Sequence, residues 1–359
     1  MRSRCAVGSA YAAGVVSVAR FGPLVTHRRW CTSCKKKRVA LRVVLLWSAL
    51  AVAGCGTSWI EKASAAREQP RLEVLDVSTV APSTLTLPNE DRSIKFAVIG
   101  DSGRGWQPQL DVAAQMVAFR QQFKFDFVLM AGDNIYEGPA TPEDYRLKFE
   151  EPYKVLLEAG VKFYAVLGNH DDPKQINYEP FNMKGNRYYT FTPPVDPITR
   201  WDTRVRFFAL DSTNIDGEQM KWFEHEAAES RAEWKIALLH HPLYTSGRYT
   251  LAARGLRFAL ESSFVNGGID VVFSGHEHIY NRSELQKGLL YFVSGGAGSL
   301  RQGDAGRSNL IAKGYDEDFH FMLIEIADEG FFFQAINRKG ITVDAGSLRA
   351  VTEDTEARR

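Results

Sequence analysis

Beyond residue 55 this chain of 359 residues has no cysteine; Cys5, Cys31, Cys34 and Cys55 are the four it contains. A disulfide framework for the body is therefore excluded, and about 300 residues bury a core without covalent staples. Acidic side chains are missing from residues 1–54, which carry ten Lys and Arg. The rest of the chain holds 34 basic and all 43 acidic side chains, a formal charge of −9. Such a body is a poor partner for nucleic acid, whose phosphates attract Lys and Arg. The apolar run Val43–Gly54 has 12 residues, short of the roughly 20 that a spanning helix needs. No repeat recurs at solenoid or propeller periods. What is present, 45% hydrophobic and 24% charged residues, is the composition of a globular enzyme.

The first 55 residues read as a leader. Cys31-x-x-Cys34 lacks the second ligand pair of a zinc site and the βαβ setting of a redox motif, so the pair is incidental. Lys35, Lys36, Lys37, Arg38 and Arg42 form a positive region before the apolar run, which ends in Val52-Ala53-Gly54-Cys55. This ending resembles the bacterial lipobox, whose cysteine is diacylated and becomes the first residue of the mature protein. A plain secretory signal with Cys55 incidental is the alternative. Either way the protein is expected to be bacterial and exported: anchored to a membrane through a lipid on Cys55, periplasmic or on the cell surface. Met1–Cys34 reads as an extension from a misplaced start or as an odd leader, and Arg28-Arg29 lies too far from the apolar run to signal twin-arginine export. The expected organisation is a leader with signal peptide over 1–54 and an anchor tether over 55–91, with its Pro82, Ser83, Thr84 and Pro88 cluster. A catalytic domain over 92–345 and a charged tail over 346–359 complete it.

From Ile94 onward, short apolar runs alternate with stretches of helical spacing. The expected order is strand Ile94–Ile99, helix Gln109–Gln122, strand Phe127–Met130, helix Tyr145–Ala159 and strand Val161–Leu167. The second half continues with strand Arg206–Leu210, helix Gln219–Ala232, strand Ile236–Leu239, helix Leu251–Phe264 and strand Val271–Phe273. Strands Leu289–Val293, Phe321–Ile326, Phe331–Ile336 and Ile341–Val343 close the chain, with Gly330 and Gly340 as hairpin turns. Two βα halves followed by antiparallel strands predict an α/β fold: two packed β-sheets flanked by helices, an α-β-β-α sandwich.

In open α/β sheets ligands gather beyond the carboxyl ends of the strands. Those positions here read Gly100-Asp101-Ser102-Gly103, Gly132-Asp133-Asn134-Ile135-Tyr136, Gly168-Asn169-His170-Asp171, His240-His241-Pro242 and Gly275-His276-Glu277-His278. Five of the eight histidines fall in this set. A Gly-Asp pair alone is an ordinary turn, and Gly-Asn-His-Asp alone could be a helix cap. His276-x-His278 places two imidazoles on one side of the chain. Together, hard oxygen donors mixed with imidazoles suit a pair of first-row cations better than a closed structural zinc cage.

In these motifs the chain resembles the calcineurin-like metallophosphoesterases, and within them the purple acid phosphatases of the small, tartrate-resistant type, over roughly Ser93 to Val343. Generic members open with Asp-x-His and carry Gly-Asp-x-x-Asp. Here Gly103 and Tyr136 stand at the two variable positions, the purple acid phosphatase pattern, in which a tyrosinate favours ferric iron. The usual Val-x-x-His is Ala237-Leu238-Leu239-His240. The resemblance implies a first metal held by Asp101, Asp133, Tyr136 and His278, and a second held by Asp133, Asn169, His240 and His276. It further implies Fe(III) at the first site and Fe(II), Zn or Mn at the second. His170 would be the general acid, with Asp171 orienting its ring, and Asn169, His241 and Arg248 would contact substrate. Plant members carry a further histidine after the fourth motif, and none occurs between His241 and His276; Arg248 or Tyr249 would replace it. His225 and His320 read as surface residues.

The expected function is hydrolysis of small phosphate monoesters by attack of a metal-bound hydroxide. Two alternatives stand beside it: a phosphodiesterase or pyrophosphatase on the same site, which shares every ligand, and a non-catalytic surface-binding lipoprotein, which would be marked by missing ligands.

Overall fold

The computed structural model of the chain describes residues 70–194 and 203–349. The leader, the lipobox with Cys55 and the tail from residue 350 lie outside the described residues. The strands, in chain order, are β1 (Arg71–Val74), β2 (Ile94–Ile99), β3 (Phe127–Met130), β4 (Lys162–Ala165) and β5 (Tyr189–Phe191). Next come β6 (Val205–Ala209), β7 (Trp234–Leu238), β8 (Val271–Ser274), β9 (Tyr280–Ser283) and β10 (Leu290–Ser294). The last are β11 (Ile311–Tyr315), β12 (His320–Ala327), β13 (Gly330–Asn337) and β14 (Thr342–Arg349). The helices are α1 (Gln107–Arg120), α2 (Pro142–Tyr145), α3 (Lys154–Glu158), α4 (Gly217–Glu229) and α5 (Thr250–Gly267). Among the described residues no helix is long and apolar enough to cross a membrane.

Two seven-stranded sheets result, ordered β1-β14-β13-β12-β2-β3-β4 and β11-β9-β10-β8-β7-β6-β5. β2, β3 and β4 run parallel, as do β6, β7, β8 and β10; the outer strands are antiparallel. Alternate side chains of β2 explain the layering. Ile94, Phe96 and Val98 face the second sheet, where Phe96 meets Phe207 edge-on at 5.5 Å, and Phe96 stacks on Phe127 of its own sheet at 5.0 Å. Ala97 and Ile99 face the opposite way, against Val112, Met116 and Phe119 of α1. On the far side Phe208, Leu239 and Val272 pack against Phe223 of α4 and Leu260 and Phe264 of α5. The four layers are those expected.

Four differences from expectation have local causes. The single helix expected over Tyr145–Ala159 is broken into α2, a wide turn over Arg146–Glu150 and α3. Pro152 lacks the amide a continuous helix needs, and Glu151 N instead donates five residues back to Arg146 O at 2.8 Å. β10, expected among the antiparallel strands, lies parallel to β8, with Leu290 beside Val271. The expected tether over 55–91 is ordered where it is described, because the edge of β14 offers unpaired backbone groups. β1 pairs there antiparallel, Arg71 with Arg349 and Val74 with Gly346, and Thr86 N and Thr84 O bond the Gln334 side chain. The sheet therefore reaches past both expected limits of the 92–345 domain.

The fourth difference is His320. Expected at the surface, it is fully buried at the start of β12, and neither ring nitrogen has a partner. Gly296 leaves room for its ring: a Cβ there would lie 2.3 Å from Cε1. Burial holds the imidazole neutral, its pKa pushed down to about 4. The unfolded chain takes up this proton near pH 6.5, so stability falls as pH drops through the window from 6.5 to 4, by at most about 3 kcal/mol. His320→Leu removes the titration. Urea midpoints at pH 7 and pH 5 should differ less in the variant than in the wild type; equal differences would absolve His320.

Candidate metal centre

Five parallel strands, β2, β3 and β4 of the first sheet and β7 and β8 of the second, deliver their carboxyl ends to one edge. Each turn beyond them is tight. Gly132 has φ 84°, and a Cβ on it would lie 2.5 Å from His240 Nδ1. At Gly168 a Cβ would come within 2.1 Å of Asp133 Oδ1. Asp101, Asp133 and His276 themselves adopt left-handed backbone, φ 55°, 51° and 68°. Non-glycine residues held there cost on the order of 1–3 kcal/mol each and persist only where surrounding structure imposes them.

These turns bring the expected ligands together. Asp101, Asp133 and His278 offer ligand atoms that all lie within 4.8 Å of one another, and so do His240, His241 and His276. Tyr136 Oη donates to Asp101 Oδ1 at 3.1 Å and lies 3.1 Å from His278 Nε2. Asn169 Oδ1 is 3.0 Å from His240 Nε2 and 2.8 Å from His276 Nδ1. Asp133 joins the two groups, its Oδ1 lying 3.4 Å from His240 Nε2 and accepting from His170 N at 3.0 Å. His240 Nδ1 is fixed by Ala131 O at 2.8 Å, leaving Nε2 to face the centre.

Burial sets the protonation states. It pushes the Asp101 carboxyl up to about 8, against the pull of His240 and with the charge of Asp133 adding to the rise. It also raises the Tyr136 phenol far above its ordinary value, helped by both aspartates, so only a cation would hold it as phenolate. Burial keeps imidazoles neutral: His276 is lowered to about 3 and His278 to about 4. Neutral imidazoles, paired carboxyls and a phenol short of positive charge are a donor set that fits bound cations.

Residues 94–280 match the calcineurin-like phosphoesterase family. The chain belongs to that family. Among its relatives is purple acid phosphatase 17 of Arabidopsis thaliana, 26% identical over 248 residues, 58% of this chain and 69% of the relative. Fe(3+)-Zn(2+) purple acid phosphatase 12 of the same plant is 31% identical over 144 residues, 36% of this chain and 31% of the relative. The solved purple acid phosphatase from yellow lupin (Lupinus luteus) seeds shares the fold, with TM-score 0.55 and 19% identity over 72% of this chain and 54% of that one. The chain is thus a metal-dependent phosphoesterase with purple acid phosphatases among its relatives.

Around the phosphoesterase centre the expected accessory residues divide. His170 is exposed, its ring centroid 5.0 Å from that of Tyr136. His241 stands beside His276 at 4.3 Å, its Nδ1 3.0 Å from Ser212 Oγ. Asp171, expected to orient His170, is engaged elsewhere. Its Oδ1 accepts from Ile135 N and Gln175 Nε2, at 3.0 and 2.9 Å, and its Oδ2 from Gly168 N and Asn134 Nδ2, at 2.8 and 3.0 Å. Four donors fill a carboxylate's acceptor sites, so Asp171 ties the turns after β3 and β4 together. The Arg248 guanidinium is likewise taken, by both oxygens of Asp304 at 2.8 and 3.1 Å. Two arginines outside the expected set stand close to it. Arg104, next after the first motif, lies 3.6 Å over the Tyr136 ring, and Arg301 ends the turn after β10. That turn is a further parallel strand end, which an antiparallel β10 would not have supplied.

Proposed function

We propose that this protein is an exported phosphatase that hydrolyses phosphate monoesters on two cations. The observation that carries this is the Tyr136 hydroxyl set between Asp101 and His278, where the generic pattern has an aspartate. Asp101, Asp133, Tyr136 and His278 would hold the first ion, with Fe(III) favoured by the phenolate. Asp133, Asn169, His240 and His276 would hold the second, Fe(II), Zn or Mn. When bound, the two ions supply charge that neutralises the phosphoryl oxygens and makes water more acidic.

The chain's own groups do the rest. His170 is exposed beside the centre, where its ring would give a proton to the departing oxygen. Its main chain is fixed by Asp133, so loss of the ring leaves the donor set in place. His241 lines the pocket next to His276, and Asn169, exposed between the two imidazoles it contacts, meets the substrate. The basic stretch Lys35–Arg42, the apolar run and Cys55 support export and lipid attachment.

Three outcomes test this. Tyr136→Phe keeps the ring and removes the donor oxygen. Iron-loaded wild type should show a visible phenolate-to-iron band that the variant lacks, together with weaker iron retention; a band in both, or in neither, removes Tyr136 as a ligand. His170→Ala should slow alkyl phosphates more than nitrophenyl phosphate, by about 10- to 100-fold in the ratio, with metal content unchanged. Equal losses would leave His170 only a phosphate contact. Cys55→Ser should move the mature protein from membranes to the soluble fraction, and unchanged fractionation would refute lipid attachment.

A further inference from the structure

The turn after β10 folds over the centre. Ala297 N donates to Gly100 O at 3.2 Å, and Gly298 packs so closely on Ser102 that a Cβ would lie 2.2 Å from Ser102 O. The turn ends at Arg301, whose N donates to His278 O at 3.0 Å. The backbone of Arg301 is thereby fixed to that of an expected ligand.

The side chain sits in an unusual state. Its guanidinium carbon lies 5.6 Å from the centroid of the Tyr249 ring, and that ring stands 4.5 Å from the imidazole of His276. Tyr249 is held there by Glu277, whose Oε1 accepts Tyr249 N at 2.7 Å. The positive charge of Arg301 is felt at both His276 and His278. Its Nη1 is closed off from solvent and has no partner. The nearby carboxylate of Asp304 is engaged by Arg248, and no described carboxylate forms an ion pair with Arg301. An unsatisfied, half-buried guanidinium is costly; Glu277, the carboxylate whose charge it meets, holds Tyr249 N and forms no ion pair with it. The group that would satisfy it is an anion brought to the centre. A guanidinium presents parallel donors that match two oxygens of a phosphoryl group.

We infer that Arg301 binds the substrate's phosphoryl group at the rim of the centre, with Tyr249 as the shelf that holds its plane. This rests on the phosphatase reading and supplies the substrate contact that Arg248, clamped by Asp304, does not.

The test uses the full metal-loaded chain and inorganic phosphate as the probe, titrated by calorimetry, with nitrophenyl phosphate kinetics alongside. Arg301→Ala should weaken phosphate binding and raise KM together by about 10- to 100-fold, the size of one charge-assisted contact. Metal content should be retained and kcat should change far less. Arg301→Lys should recover part of the affinity, and it carries the comparison alone if the alanine variant fails to fold, its phosphate affinity then falling below that of the wild type. Unchanged phosphate affinity in a folded variant overturns the role of Arg301 while leaving the phosphatase reading intact. Loss of bound metal overturns it too, since Arg301 would then act only by shaping the ligands. A wild type that binds metal but neither phosphate nor ester overturns both.

Discussion

Two carboxyl groups, Asp101 and Asp133, are buried almost completely at the ends of adjacent parallel strands, and the charge of Asp133 adds to the cost of ionising Asp101. Much of the surrounding structure answers to that repulsion. His276 N and Tyr136 Oη donate to Asp101, and His170 N donates to Asp133. Glycines on three sides keep larger groups off the carboxylates. These contacts are partial compensation, because amides and a phenol carry no net charge. Buried anions without a full counter-charge are strongly unfavourable, and the left-handed backbone at both aspartates adds strain to the repulsion. A fold that keeps such a cluster is one whose stability is coupled to cation binding.

The division of labour between the sheets arises from chemistry. The first sheet contributes Asp101, Asp133, Tyr136 and Asn169, all oxygen donors; the second contributes the nitrogens of His240, His276 and His278. Donor separations are therefore set by how far apart the sheets stand, which the aromatic packing of Phe96, Phe127, Phe207 and Phe273 fixes. A buried ion pair helps: Arg282 of β9 bonds Asp344 of β14 at 2.7 Å, and Tyr280 Oη joins at 2.7 Å. That contact ties one sheet to the other through directional bonds, where hydrophobic contact alone would let them slide.

The layer order and most of the donor set are legible in the sequence because both are local. Strand β2 and the Gly-Asp beyond it occupy consecutive residues, and an apolar run with glycine at its end needs no tertiary information to read. Three things are not local. β10 pairs with β8 in a direction that its own residues do not specify, so the glycines after it do not by themselves place the turn carrying Arg301 at the centre. Asp171 sits next to His170 in sequence, yet four donors from two turns claim its oxygens. His320 looks like a surface residue beside the charged segment Asp316-Glu317-Asp318, and only the space above Gly296 admits it to the interior. Pro152 is legible in principle, but the helical spacing around it points the other way.

The pairing of β1 with β14 has a topological consequence. Arg71, where the chain joins the first sheet, lies opposite Arg349, where the described chain leaves it. Entry and exit are thus neighbours on one sheet edge, and the catalytic turns are built entirely between them. A layout of this kind tolerates relocation of its ends. New termini opened elsewhere in a circular permutant, with 71 and 349 joined by a short linker, would leave the cyclic order of the donor turns unchanged. In evolutionary terms the same geometry makes the fold a cassette: it can be set into a loop of another protein, or hung from a leader, without rearranging the layers that hold its chemistry.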